Sequence, residues 1–91
     1  MTVVAGSLDR TSALAVVCEA VAIVCEVDAA TLSADTTFAE LDADSLVLVG
    51  IADVVEATLA EQGRELHIDD ASLGRMRSLG DVVDYILSSA G

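Results

Sequence analysis

Apolar residues along this chain recur mostly every three or four positions, the spacing of helix faces. Leu14, Val17, Val21 and Val24 make the first such stripe, broadened by Val16, Ile23 and two cysteines, so this helix is expected to be buried on more than one side. Asp9 is placed to cap it, with the helix running to about Val27. The β-branched pairs Val16-Val17 and Ile23-Val24 would suit a strand, but the intervening alanines and the length of the pattern favour helix. A second helix is expected from Ser45 to about Gln62, with Gly63 as a left-handed stop. Val49, Ala52, Val55 and Leu59 form its core stripe; Val47, Ile51 and Val54 form another apolar row, with Asp53 and Glu56 on its flank.

Leu66 and Ile68 then lead to a short helical turn over 70–74, capped by Asp69 or Asp70. The last helix begins at Ser78 in a Ser-Leu-Gly-Asp run like a capping box, turns Leu79, Val82, Val83 and Ile86 inward, and frays over 88–91. Between the first two long helices lies a connection, Asp28 to Asp44, whose Ser33, Asp35, Thr36 and Thr37 supply turn chemistry. A loop of that length is functional or anchored, and Leu32, Phe38 and Leu41 are the expected anchors. The predicted fold class is all-α: a small bundle of three main helices plus one short one. Residues 1–8 read as a flexible leader and 9–91 as one domain.

Composition narrows the function. The 91 residues suffice for one domain, which buries roughly 60–65% of its unfolded surface. Hydrophobic residues at 54% argue against disorder despite a net charge of -12, and aromatics at 2% require an aliphatic core. Four arginines (Arg10, Arg64, Arg75, Arg77) face sixteen acids. Such a surface repels nucleic acid; either it merely keeps an apolar domain soluble or it also attracts partners with basic docking patches. Cys18 and Cys25, about two turns or ~10 Å apart on one helix face, are too distant for a disulfide. They read as small buried hydrophobes of a reducing compartment. His67 is the only histidine, so no metal site is expected, and it reads as a surface or half-buried loop residue. Asp42-x-Asp44 begins like a calcium loop, but Leu46 and Val47 stand where an oxygen ligand and a glycine are needed. No basic signal region opens the chain, and the stretch Ala13 to Cys25, interrupted by Glu19, is too short to span a bilayer. A cytoplasmic protein with no membrane partner is expected.

Ser45 is the residue with chemistry. Asp44 is a good N-cap, which puts Ser45 at the first helical position, at the positive end of the helix dipole. A phosphate ester there is stabilised by unpaired N–H donors. As a catalytic nucleophile Ser45 lacks a histidine base and an orienting carboxylate at any recognisable spacing. The plain alternative is a serine at a helix start that does nothing further.

The phrase Phe38-Ala-Glu-Leu-Asp-Ala-Asp-Ser-Leu46, with the serine seven residues after Phe38, resembles the attachment motif of acyl carrier proteins. Ile68-Asp69-Asp70 and the run from Ser78 to Ile86 resemble the second half of that family, so the likeness covers roughly Asp9 to Leu87. It implies a right-handed four-helix bundle, acting as a monomer and not as an enzyme. In such proteins the serine, here Ser45 flanked by Asp44 and Leu46, carries covalent 4′-phosphopantetheine derived from coenzyme A, whose thiol holds acyl groups as thioesters. The resemblance also implies partners: a phosphopantetheinyl transferase that uses Mg²⁺, an acyltransferase, a ketosynthase and other biosynthetic enzymes with basic docking surfaces. An acyl chain sheltered between the second, third and fourth helices is a further implication.

The sequence departs from the family at three places. Asp42 stands where glycine is common, and Asp tolerates a left-handed backbone better than most residues. Val47 and Gly50 stand where the family often has acids, whereas Glu56, eleven residues after Ser45, matches a common acidic position. The expected docking set is therefore Val47, Gly50, Ile51 and Val54 as an apolar approach, Asp53 and Glu56 as electrostatic guides, and Met76 near the tether. Val47 packed under the preceding loop and Met76 in the core are the competing readings. The departures favour a dedicated polyketide pathway over housekeeping fatty-acid synthesis. A peptidyl or aryl carrier is the nearest alternative, disfavoured by the acidic Asp42-Ala43-Asp44 approach; an unmodified helical interaction module is another.

Overall fold

Asp9 opens the first helix as its position predicts. In the computed structural model, which describes residues 9–90, its carboxylate accepts the Ser12 N–H at 2.8 Å. The expected leader over 1–8 and the terminal Gly91 lie outside the described residues. Helix α1 runs Arg10–Cys25 and ends before Val27, because Glu26 turns left-handed at φ 56°. The Val27 N–H then returns to the Ala22 carbonyl at 3.2 Å, closing the helix end. The buried face of α1 is Ala13, Val16, Val17, Ala20 and Val21. Leu14 and Val24 sit half-buried at its edges and Ile23 is exposed, so the alanines, small enough for close helix approach, take more of the interface than the valine-leucine stripe predicts. Cys18 and Cys25 are free and half-buried against the core rather than within it, and burial pushes both thiol pKa values up.

The long connection is anchored as expected. Phe38 is buried in the core, with Leu32 and Leu41 packed at its margin. Backbone pairing holds it as well. Thr37 and Ser78 form an isolated antiparallel bridge, and the Phe38 N–H donates to the Arg77 carbonyl at 2.9 Å. Beyond the bridge, the Leu79 and Gly80 amides donate to the carbonyls of Thr36 (3.0 Å) and Ala34 (2.9 Å). Those are first-turn amides that a helix start leaves open, so the connection itself caps the last helix.

Helix α2 spans Ser45–Glu61. It stops in a left-handed Gly63 at φ 80°, with Arg64 N–H on the Leu59 carbonyl (2.9 Å) and Gly63 N–H on that of Ala60 (3.0 Å). Helix α3 is the single turn Asp70–Leu73, capped by Asp69, whose carboxylate accepts the Ser72 N–H at 2.7 Å. Helix α4 spans Leu79–Ala90. The capping box is present: the Asp81 carboxylate accepts from Arg77 N–H (2.8 Å) and Ser78 N–H (3.2 Å), while Asp81 N–H donates to Ser78 Oγ at 3.3 Å. Residues 88–90, expected to fray, continue the helix.

Helix α1 packs against both α2 and α4. The core is aliphatic, centred on Val17, Val21, Val55, Leu59, Val83 and Ile86, with Leu79 and Val82 also buried. Each such side chain contributes about 1.5–3 kcal/mol by leaving water. Among the described residues the molecule is a small all-α bundle of three long helices and one short one, without strands.

Candidate functional site

The approach to Ser45 is a compact turn built from local hydrogen bonds. Glu40 Oε2 accepts from both the backbone N–H and the hydroxyl of Thr37 at 2.9 Å, and the Glu40 N–H returns to Thr37 Oγ1 at 3.1 Å. That reciprocal pair is a capping box in Thr37-x-x-Glu40, a signal present in the sequence that the reading of Thr37 as generic turn chemistry missed. Those bonds hold the Glu40 carboxyl below the usual carboxylate range, the Thr37 amide contributing most. The turn closes as a helix end closes: Ala43 N–H reaches the Phe38 carbonyl at 3.0 Å and Asp42 N–H that of Ala39 at 3.2 Å. Asp42 supplies the left-handed residue this needs, at φ 55°. Buried Phe38 therefore fixes the turn that delivers Asp44.

Asp44 is the N-cap of α2. Its Oδ1 accepts the Val47 N–H at 3.0 Å, and its carbonyl accepts the Leu48 N–H at 2.9 Å. The Ser45 and Leu46 amides are the first-turn donors left over, and they make up the positive end of the helix dipole. Ser45 is exposed at the first helical position, as predicted, and Leu46 beside it is 79% exposed. Val49, one turn on, is 40% exposed, not the core residue expected.

Ser45, Leu46, Leu48 and Val49 form one wall of a pocket of about 340 Å³, and Asp70, Leu73 and Gly74 from α3 and its end form the other. The size falls at the lower end of small-molecule sites. Leu48, Leu73 and Gly74 were not foreseen, because only the tertiary fold brings α3 against the start of α2. His67, the one histidine, lines a different groove with Asp53, Glu56 and Glu65. It is exposed, with Nδ1 3.7 Å from Glu56 Oε2, so no histidine base stands at Ser45.

The expected docking residues separate. Ile51 is only 1% exposed and Met76 8%, both in the core, so neither side chain is offered to a partner. Gly50 turns toward α1: a β-carbon built there would meet Val24 Cγ1 at 3.5 Å. The core face of α2 is thus Ile51, Ala52, Val55 and Leu59: Ala52, Val55 and Leu59 are buried as the predicted stripe has them, and Ile51 replaces Val49. With Leu46 to Ala52 apolar except for Gly50, the sequence offers no polar side to fix the rotation; packing against α1 decides it. Val47 and Val54 are half-buried against the core. Asp53 is exposed, whereas the half-buried Glu56 accepts the Ile68 N–H at 2.8 Å.

A family model described as the phosphopantetheine attachment site matches residues 15–86, most of the chain. The chain belongs to the phosphopantetheine-attachment family. A carrier domain of this kind is the site of covalent 4′-phosphopantetheine attachment and is itself not a catalyst. The matched span runs from within α1 to within α4 and so includes the turn at Thr37, the start of α2 and both walls of the pocket. The residues of the carrier domain fit that group: a hydroxyl in solvent, free amides and a helix dipole for an anionic diester, and an apolar pocket alongside. Carrier domains work by meeting biosynthetic enzymes in turn. Among the described residues no helix is long and apolar enough to cross a membrane.

Proposed function

We propose that Ser45 is the attachment residue, and that this carrier domain is a discrete, monomeric acyl carrier protein of a polyketide pathway in the cytoplasm. The observation that carries the reading is the exposed Ser45 hydroxyl at the start of α2, on the rim of an apolar pocket. When bound, the prosthetic group supplies a thiol that holds cargo as a thioester. The chain does the rest. Asp44 fixes the helix start, the free amides of Ser45 and Leu46 favour the anionic linkage, and the pocket gives an apolar chain a place out of water. Tethering raises the effective concentration of cargo at each partner site.

Leu48, Val49 and Leu73 around the pocket, with Asp70 as the one charged residue, suit an acyl group better than the amino acid of a peptidyl carrier. Leu46, Val47 and Val49 offer an apolar contact next to the tether, and Asp53 guides partners with basic surfaces. The transferase, an acyltransferase and a ketosynthase are the partners this surface suits. The test is intact mass after incubation with coenzyme A, Mg²⁺ and a broad-specificity phosphopantetheinyl transferase. The chain is expected to gain one phosphopantetheine and Ser45→Ala none; a gain in the alanine variant, or none in the parent, overturns the assignment.

A further inference from the structure

One peptide group in the connection between α2 and α3 is held from both sides. Its N–H, that of Ile68, donates to Glu56 Oε2 at 2.8 Å, from α2. Its carbonyl, that of His67, accepts the Tyr85 hydroxyl at 3.0 Å, from α4. The partners lie twelve residues back and eighteen residues on, so two different helices fix the two ends of a single amide plane. The Glu56 side chain is only 26% exposed, and a carboxylate in that setting needs a donor. A charged acceptor makes this a stronger bond than a neutral one. Donation by the N–H also makes the carbonyl of the same amide a better acceptor, so the two bonds reinforce each other.

This plane sits immediately before the start of α3. Ile68 is buried, and the next residue is the cap Asp69. Helix α3 is a single turn, and Asp70, Leu73 and Gly74 make the wall of the pocket that faces Ser45. We propose that Glu56 and Tyr85 are positioning residues: a two-sided latch on the 67–68 peptide that holds α3 over the pocket and sets how readily the pocket opens. Glu56 is thereby committed inside the molecule and is not a free docking acid. The consequence for cargo rests on the assignment of Ser45 above; the latch itself does not.

Amide hydrogen exchange, read residue by residue by NMR on the full unmodified chain, tests the latch. Tyr85→Phe removes the donor with little change in volume, and Glu56→Ala removes the acceptor. Each is expected to speed exchange at Ile68, Ser72, Leu73 and Gly74 by roughly two- to tenfold, leaving Val17 and Val83 unchanged. Glu56→Gln, which keeps a neutral carbonyl acceptor in place of the charged one, is expected to fall between the parent and Glu56→Ala. The double variant is expected to fall short of the product of the single effects, since either loss frees the same plane. Uniform acceleration through α1 and α4, full multiplicativity, or no change at the four amides would each overturn the latch. In a second arm a broad-specificity transferase with Mg²⁺ moves octanoyl-phosphopantetheine from octanoyl-coenzyme A to the serine hydroxyl, releasing adenosine 3′,5′-bisphosphate, and thioester hydrolysis is followed. Faster hydrolysis in Tyr85→Phe supports the pocket as the shelter. Altered exchange with unaltered hydrolysis refutes that half alone. Failure to load refutes the Ser45 assignment and leaves the exchange result standing.

Discussion

Replacing Gly50 by alanine is expected to stabilise this protein and leave its loading by a transferase unchanged. Glycine inside α2 costs about 1 kcal/mol relative to alanine, through backbone entropy. That gain is realised only where the new methyl fits. At Gly50 the nearest atoms to an added β-carbon are Val24 Cγ1 at 3.5 Å and Cγ2 at 4.0 Å, ordinary contact distances between carbons. A half-buried methyl adds a fraction of the ~0.8 kcal/mol of a buried methylene, so the net gain is about 1–1.5 kcal/mol. For a domain of this size each kcal/mol raises Tm by about 4–8 °C. Urea titration followed by far-UV circular dichroism is expected to show a higher midpoint at constant m. A lowered midpoint would refute the packing argument. A higher midpoint with slower loading would refute the orientation, showing that a partner needs the small residue after all.

The same substitution at Gly80 is expected to act in the opposite sense, because a β-carbon there would lie 3.0 Å from the Ala34 carbonyl oxygen that the Gly80 amide itself holds; overpacking of about 1–3 kcal/mol outweighs the propensity gain, and a thermal melt should show a lower Tm. Asp42→Gly relieves a left-handed aspartate at φ 55° and is expected to add about 0.5 kcal/mol in a urea titration. Val47→Asp removes an apolar contact beside the tether and is expected to raise KM for a partner enzyme roughly five- to tenfold; an unchanged KM would rule out apolar docking there. Asp9, Glu40 and Asp69 are each held below the usual carboxylate range, chiefly by the backbone N–H groups of Ser12, Thr37 and Ser72. Because their folded pKa values are depressed, the stability they lend is present at neutral pH and lost as pH falls below about 4. Glu40→Gln, which keeps an acceptor without a titrating proton, is expected to flatten that acid loss in melts recorded from pH 6 to pH 2.5.

What the sequence made legible here was local chemistry. Asp9, Asp44 and Asp69 cap helices because a carboxylate one residue ahead of a helix finds an amide three positions on, whatever the rest of the chain does. Gly63 stops α2 for an equally local reason. The core positions Ala52, Val55 and Leu59 of α2 were legible, but those of its first two turns were not. Leu46, Val47, Leu48, Val49 and Ile51 are interchangeable by hydropathy, and only contact with α1 turns Ile51 inward and leaves Leu46 and Val49 outside. Glu56 reads as one more surface acid until the fold brings the Ile68 amide within 2.8 Å of it. Ser45 was readable because its setting is a helix start; the residues lining the pocket beside it were not, because Leu73 and Gly74 arrive from a distant part of the chain.

The bridge between Thr37 and Ser78 has a consequence for biosynthesis. Its two sides lie far apart in sequence, so the segment that aims Ser45 has only its local hydrogen bonds until the start of α4 has left the ribosome. The start of α2 therefore gains its long-range support only once the chain as far as Leu79 and Gly80 has left the ribosome.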